Sequence, residues 1–368
     1  MKTCSTPLVQ GSVGTTRELT SYHFGQPGQQ KVYIQAALHA DETPAMLTAL
    51  HLKRKLLALE QNQAIVAEII LVPVANPIGL AQTVLGQFVG RFDLATGLNF
   101  NRSFPEFDYQ RISAGLGPDL AQNQRLIRAG MAQELAAIEP RSEFDALRLN
   151  LLKLSIDANL VLDLHCSLEA TMHLYANSGQ WPQIEPLARY LGAEASLLAT
   201  DSGGASFDEA HTLFWWKLQQ SVAADIPLPD GCVAVTVECR GQRDVSYEYA
   251  ERDAQAIVDY LIWRGAISGV TREMPALITE PTQLAGSEQF YAPVSGILVH
   301  RMALGAQVRQ GDALCDIVDP LTDRTTTVYS NTNGIWYMRR AIRFVHSGSP
   351  LGRVSGNERM RKGKLVGL

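Results

Sequence analysis

Residues 160–167 read Leu-Val-Leu-Asp-Leu-His-Cys-Ser, in which the short apolar run 160–164 leads into a histidine. Three other stretches share its texture: residues 32–38 (VYIQAAL), 69–75 (IILVPVA) and 232–237 (CVAVTV). Continuous apolar runs of this length, rich in leucine and β-branched residues, fit strands buried on both faces of a mostly parallel sheet. Helical patterns fall between or after them. The clearest covers 44–59, with Thr43 as N-cap and Pro44 at the first helical position. A second covers 122–158 and a third 249–267. Strands alternating with helices predict an α/β fold, a mixed and largely parallel sheet flanked by helices.

The rest of the composition narrows the choice. Of 368 residues, 46% are hydrophobic and 19% charged, which excludes a disordered or fibrous chain. A net charge of −5 argues against nucleic acid as a partner. Five scattered cysteines make neither a disulfide framework nor a zinc knuckle. The uncharged stretch 69–90 is long enough to span a bilayer. However, Pro73, Pro77, Gly79 and Gly86 break it into strand, turn and loop. The N-terminal residues lack the apolar core of a signal peptide. The expectation is a soluble cytoplasmic protein with no membrane partner, and homo-oligomerisation stays open.

Near Thr271 the texture changes. A catalytic domain is expected over 1–272 and a small all-β domain over 273–368, joined through the proline-bearing segment 271–286. The run YAPVSGILVHRMALGAQVRQGDALCDIVDP has the hairpin pattern of biotinyl and lipoyl carrier domains, with Gly296, Gly305 and Gly311 at turns. A carrier needs an attachment lysine, and none occurs from 218 to 361. The module therefore reads as a lid, wall or contact surface.

The residues just after each apolar run point to chemistry. The first run leads into His39 and Glu42, the second into Asn76-Pro77-Ile78-Gly79, the third into His165 and the fourth into Glu238. Ligands in open α/β sheets gather at the carboxyl ends of strands. His39 and Glu42, spaced i, i+3, can sit on one side of a tight turn, and His165 completes two imidazoles and a carboxylate. That is the ligand set of a catalytic zinc ion with its fourth position open, one per chain. Asp163 either supports His165 from behind or points elsewhere along its strand. In the irregular segment RFDLATGLNFNRSFP, Asn101 and Arg102, with Arg91 nearby, offer donors suited to a carboxylate. His173 lies eight residues beyond His165, which leaves open a place in the pocket wall, and it is assigned no role.

Together, H-x-x-E after a first strand, N-P-x-G, N-R before F-P, D-L-H and a later strand-end Glu resemble the zinc carboxypeptidase fold. Within it, the chain is most similar to the succinylglutamate desuccinylase/aspartoacylase family. The resemblance implies that His39, Glu42 and His165 hold zinc and that Glu238 is the general base for a metal-activated water. It also implies that Asn101 and Arg102 clamp a substrate carboxylate, and that Arg91 polarises the scissile carbonyl. Two departures stand out: Ala40-Asp41 occupies the first motif where the family often has glycine, and residues 106–158 form a long helical insertion. The implied reaction is hydrolysis of the amide bond of a small, carboxylate-bearing N-acyl amino acid. The alternative is a metallocarboxypeptidase acting on peptides. An open cleft would favour the peptidase, and a β module capping the metal would favour small substrates.

Overall fold

The computed structural model describes residues 1–28, 30–358 and 361–365. The four apolar runs form four adjacent, mutually parallel strands at the centre of a nine-stranded sheet. Their order is Glu68–Val72, Lys31–Ala36, Leu160–Ser167 and Val233–Gly241. On one side come the antiparallel strands Glu18–Phe24 and Lys2–Pro7. On the other, Met172–Ala176 runs antiparallel to Val233–Gly241, and Ala195–Leu198 and Thr282–Gln283 continue the sheet.

Alternate side chains divide between two cores, as the two-residue period of a strand requires. Ile34, Leu162 and Val235 pack under Thr43–Gln61, Trp181–Leu191 and Tyr247–Trp263. Tyr33, Val161 and Ala234 pack under Leu120–Ala136, Glu143–Ser155 and Phe207–Ser221. Each fully buried leucine or isoleucine in these layers stabilises the fold by ~1.5–3 kcal/mol. The carboxyl ends of the central strands therefore stand on a rigid support.

Several local expectations are corrected. The first helix begins at Thr43 and its N-cap is Glu42, whose side chain makes no capping hydrogen bond. That carboxylate is drawn to two histidines instead. The pattern over 122–158 breaks into two helices at Pro140, and Ser142 caps the second by accepting from Asp145 N at 3.1 Å. The segment 271–286 is more than a link, because Thr282–Gln283 pairs with Ala195–Leu198. Strand Lys2–Pro7 was not legible: at the sheet edge it buries almost nothing, so KTCSTP carries no hydrophobic signal.

The C-terminal residues form separate sheets around Leu298, Ile317, Trp336, Leu351 and Val354. One of these sheets takes a short strand, Glu169–Ala170, from the preceding part of the chain, pairing with Gly334–Arg339. Glu169 also accepts from Arg339 Nε (2.7 Å) and Arg343 Nη2 (2.6 Å). The module is thus fastened beside the carboxyl edge of the main sheet.

Candidate metal centre and its cavity

His39 and Glu42 sit where the central strand Lys31–Ala36 turns into the first helix. The turn is tight: Glu42 N donates to His39 O at 3.1 Å, and Ala37 just upstream has φ 61°, a left-handed conformation that costs energy in a non-glycine residue. Asn76 braces it, donating to Leu38 O at 2.9 Å while accepting from Gly79 N at 2.8 Å. The N-P-x-G motif therefore acts on the backbone next to the site. Gly90 packs against the same turn, where a Cβ would meet Asp41 N at 2.2 Å. Ala40 N donates to Gly90 O at 3.0 Å, and this close approach carries Arg91 to the cavity.

His165 arrives from the neighbouring strand. One ligand atom each from His39, Glu42 and His165 lies within 4.8 Å of the others, and all three residues are buried. Glu42 Oε1 is 2.9 Å from His39 Nδ1, and Oε2 is 2.7 Å from His165 Nδ1. The outer nitrogens are held from behind. His39 Nε2 is 2.8 Å from Asn99 Oδ1, and His165 Nε2 is 2.9 Å from Asp163 Oδ2. Asp163 Oδ1 in turn accepts from Gln35 Nε2 at 2.9 Å, and Gln35 Oε1 accepts from Tyr33 OH at 2.9 Å. Metal-binding histidines almost always give their second nitrogen to such an acceptor, which aims the first nitrogen at the ion. Two nitrogens, one carboxylate and this backing fit a divalent metal of the zinc type.

The electrostatics agree with a place for a cation. Burial favours neutral His165, but Asp163 and Glu42 outweigh it and raise its pKa well above the ordinary 6.5. Burial, with Arg91 adding to it, lowers the His39 pKa to about 4, so His39 is the neutral imidazole that a metal requires. Burial alone would raise the Glu42 pKa, but His39 and His165 override it and keep Glu42 ionised.

Glu238 pairs with His165 across the sheet and lines the same cavity. Burial and the charge of Glu42 raise its pKa to about 7, against His165, Arg91 and a 3.2 Å hydrogen bond from Ser167 Oγ. Arg91 Nη1 lies 3.3 Å from both His39 Nδ1 and Glu42 Oε1. Asn101 is brought to the site, but its amide is engaged: Oδ1 accepts from Phe207 N at 2.8 Å, and Nδ2 is 3.3 Å from His165 Nε2. Arg102 lines the cavity with Nη1 donating to Asn101 O at 2.6 Å, near Asp208 and Glu209. His173 does not line the cavity. Its ring packs against Tyr175 and Tyr337.

The structure thus brings all seven sequence-derived residues to one cavity of about 320 Å³. It adds others that the sequence did not single out, in the cavity wall or behind the cluster. Asn99 was hidden in a loop without periodicity, Gln35 inside an apolar run, and Asp208 and Glu209 at the start of an unremarked helix. Leu284, Met338 and Arg353 reach the cavity from beyond residue 280. Only the N-x-N spacing around Asn101 offered a hint of Asn99.

At the carboxyl edge of an open α/β sheet, His39, Glu42 and His165 form a cluster that fits a metal ion. Residues 28–262 match the model of the succinylglutamate desuccinylase/aspartoacylase catalytic domain, and the chain belongs to that family. No curated protein matches it significantly. Among solved structures it is similar to a succinylglutamate desuccinylase/aspartoacylase family protein from Shewanella amazonensis SB2B. The two are 24% identical with a TM-score of 0.85, over 96% of this chain and 98% of that one. A counterpart from Shewanella frigidimarina NCIMB 400 is also 24% identical, with a TM-score of 0.86 over 97% of each chain. The product-bound ectoine utilization protein EutE (DoeB) from Ruegeria pomeroyi is 16% identical, with a TM-score of 0.65 over 96% and 93%. These likenesses establish the shared fold.

Proposed function

We propose that this protein is a zinc-dependent amidohydrolase that removes the acyl group from a small, carboxylate-bearing N-acyl amino acid. The observation that carries the reading is the meeting of three ligand atoms within 4.8 Å inside a cavity that also holds Glu238 and Arg102. His39, Glu42 and His165 would hold the ion, one per chain. When bound, such an ion supplies Lewis acidity for carbonyl activation and lowers the pKa of water. Glu238 takes a proton from the attacking water and delivers it to the departing amine, a task suited to a carboxylate whose pKa lies near 7. Arg91, at the edge of the cluster, offers a cation to the oxygen on which negative charge develops. Arg102 orients the substrate carboxylate, together with the N–H of Asn101 Nδ2 that does not face His165.

The C-terminal module supports a small substrate over a peptide. Leu284, Met338 and Arg353 wall the cavity, and its volume falls within the small-ligand range. All five cysteines are free, which suits the reducing cytoplasm as the working compartment. Among the described residues, no helix is long and apolar enough to cross a membrane.

The test is metal analysis of the wild type and Glu238→Gln, with amine release from a panel of N-acetyl and N-succinyl amino acids. The variant should keep its metal and lose ~10²–10⁴-fold in kcat. Undiminished turnover, or a wild type without affinity for zinc, rejects the mechanism. Processive release of C-terminal residues from peptides would instead establish the carboxypeptidase.

A further inference from the structure

The segment 361–365, beyond the last strand, packs behind the cavity wall. Leu365 is buried in one cluster with Leu197, Leu284 and Tyr337, and its N–H donates to Ser202 O at 2.7 Å. Arg361 N donates to Ala285 O at 3.0 Å, which ties down the other end of the segment. Gly203, at φ 74°, lets the two backbones meet: a Cβ there would stand 3.2 Å from Lys364 Cα. Leu365 does not line the cavity, but Leu197, Ser202 and Leu284 do.

Ser202 opens a loop, 202–206, that holds the substrate clamp. Ser103 N donates to Gly204 O at 3.2 Å and Phe104 N to Ala205 O at 2.9 Å. Phe207 N, just past the loop, donates to Asn101 Oδ1 at 2.8 Å. These bonds fix residues 101–104, and with them the backbone that carries Arg102. The contact joins two strained residues, since Ser103 has φ 57° and Ala205 φ 45°. A non-glycine residue keeps that left-handed conformation only where its surroundings over-determine it. On one side Glu209 braces the loop, accepting from Ser202 N and Ser206 N. On the other the brace is Leu365.

We infer that Leu365 is a positioning residue, which holds Ser202 and so keeps the loop 202–206 in the shape that aims Arg102 at the substrate carboxylate. The task of Arg102 rests on the deacylase reading above; the bracing of its backbone does not.

The test uses full-length, metal-loaded wild type, Leu365→Ala, Leu365→Val and Leu365→Met. The substrate is the N-acetyl or N-succinyl amino acid that the wild type turns over fastest. Leu365→Ala should raise KM about 10-fold, while kcat and zinc affinity stay as in the wild type, because Arg102 loses its aim and the metal ligands keep theirs. Leu365→Met refills the volume and should restore KM. Leu365→Val removes less and carries the same readouts if a melting curve shows Leu365→Ala unfolded. Hydrogen exchange reads the loop without turnover. In Leu365→Ala the amides of Ser103, Phe104 and Phe207 should exchange about 10-fold faster, and those of Leu160–Ser167 and Val233–Gly241 at the wild-type rate. An unaltered KM, or unaltered exchange at those three amides, overturns the role of Leu365. So does a joint change in KM, kcat and zinc affinity, the mark of a general loss of structure. If the wild type turns over no substrate, the deacylase reading fails alone, and exchange by itself decides whether Leu365 braces the loop.

Discussion

Replacing Asp163 by Asn changes one atom type in the centre of the protein and should disarm His165. Asp163 is fully buried, so the substitution neither opens a cavity nor alters the surface. Tyr33 OH donates to Gln35 Oε1, which fixes the amide of Gln35 with Nε2 toward Asp163 Oδ1 at 2.9 Å. The replacement must keep its carbonyl on that donor and therefore turns its NH2 toward His165 Nε2. His165 can then only accept at Nε2, which leaves its proton on Nδ1, the nitrogen 2.7 Å from Glu42 that a metal needs free. Loss of such a backing carboxylate typically costs about 10–100-fold in metal affinity, or about 1.4–2.7 kcal/mol. Competition for zinc against a chromophoric chelator would measure it, with a melting curve to show that the fold persists. Zinc affinity equal to that of the wild type would refute the claim that Asp163 sets the tautomer of His165.

The same geometry gives two further expected outcomes. Burial, then Glu209, raises the Asp208 pKa from 3.8 to about 6, against Ser206 and His165. A carboxyl group that binds its proton more tightly when folded stabilises most below about 4, and that contribution is lost as pH rises through about 6. Asp208→Asn should therefore gain stability relative to the wild type between pH 4 and pH 7 in chemical denaturation; a constant difference would contradict this. Zinc at one hundred times its dissociation constant should stabilise the protein by about 2.7 kcal/mol relative to chelated protein, because only the folded chain assembles the three ligands. A thermal transition indifferent to zinc and chelator would argue against the metal site.

Sequence alone determined those features of this protein whose signals are local. The runs at 32–38, 69–75, 160–164 and 232–237 are predominantly apolar because those strands are buried on both faces. His39, Glu42, His165 and Glu238 were readable because strand ends in such a sheet share one edge. Other features depended on partners far away in the chain. Glu42 turns from capping toward His39, 2.9 Å away, and toward His165, 123 residues later in the chain and 2.7 Å away. The strand Lys2–Pro7 exists because Glu18–Phe24 offers it an edge to pair with. Met338 and Arg353 line the cavity because the C-terminal module, paired to the short strand Glu169–Ala170, stands beside the carboxyl edge of the main sheet. Local patterning specifies which segments become buried strands and what ends them. Counter-ions, hydrogen-bond partners and cavity walls are set by atoms that only the packed chain brings within a few ångströms.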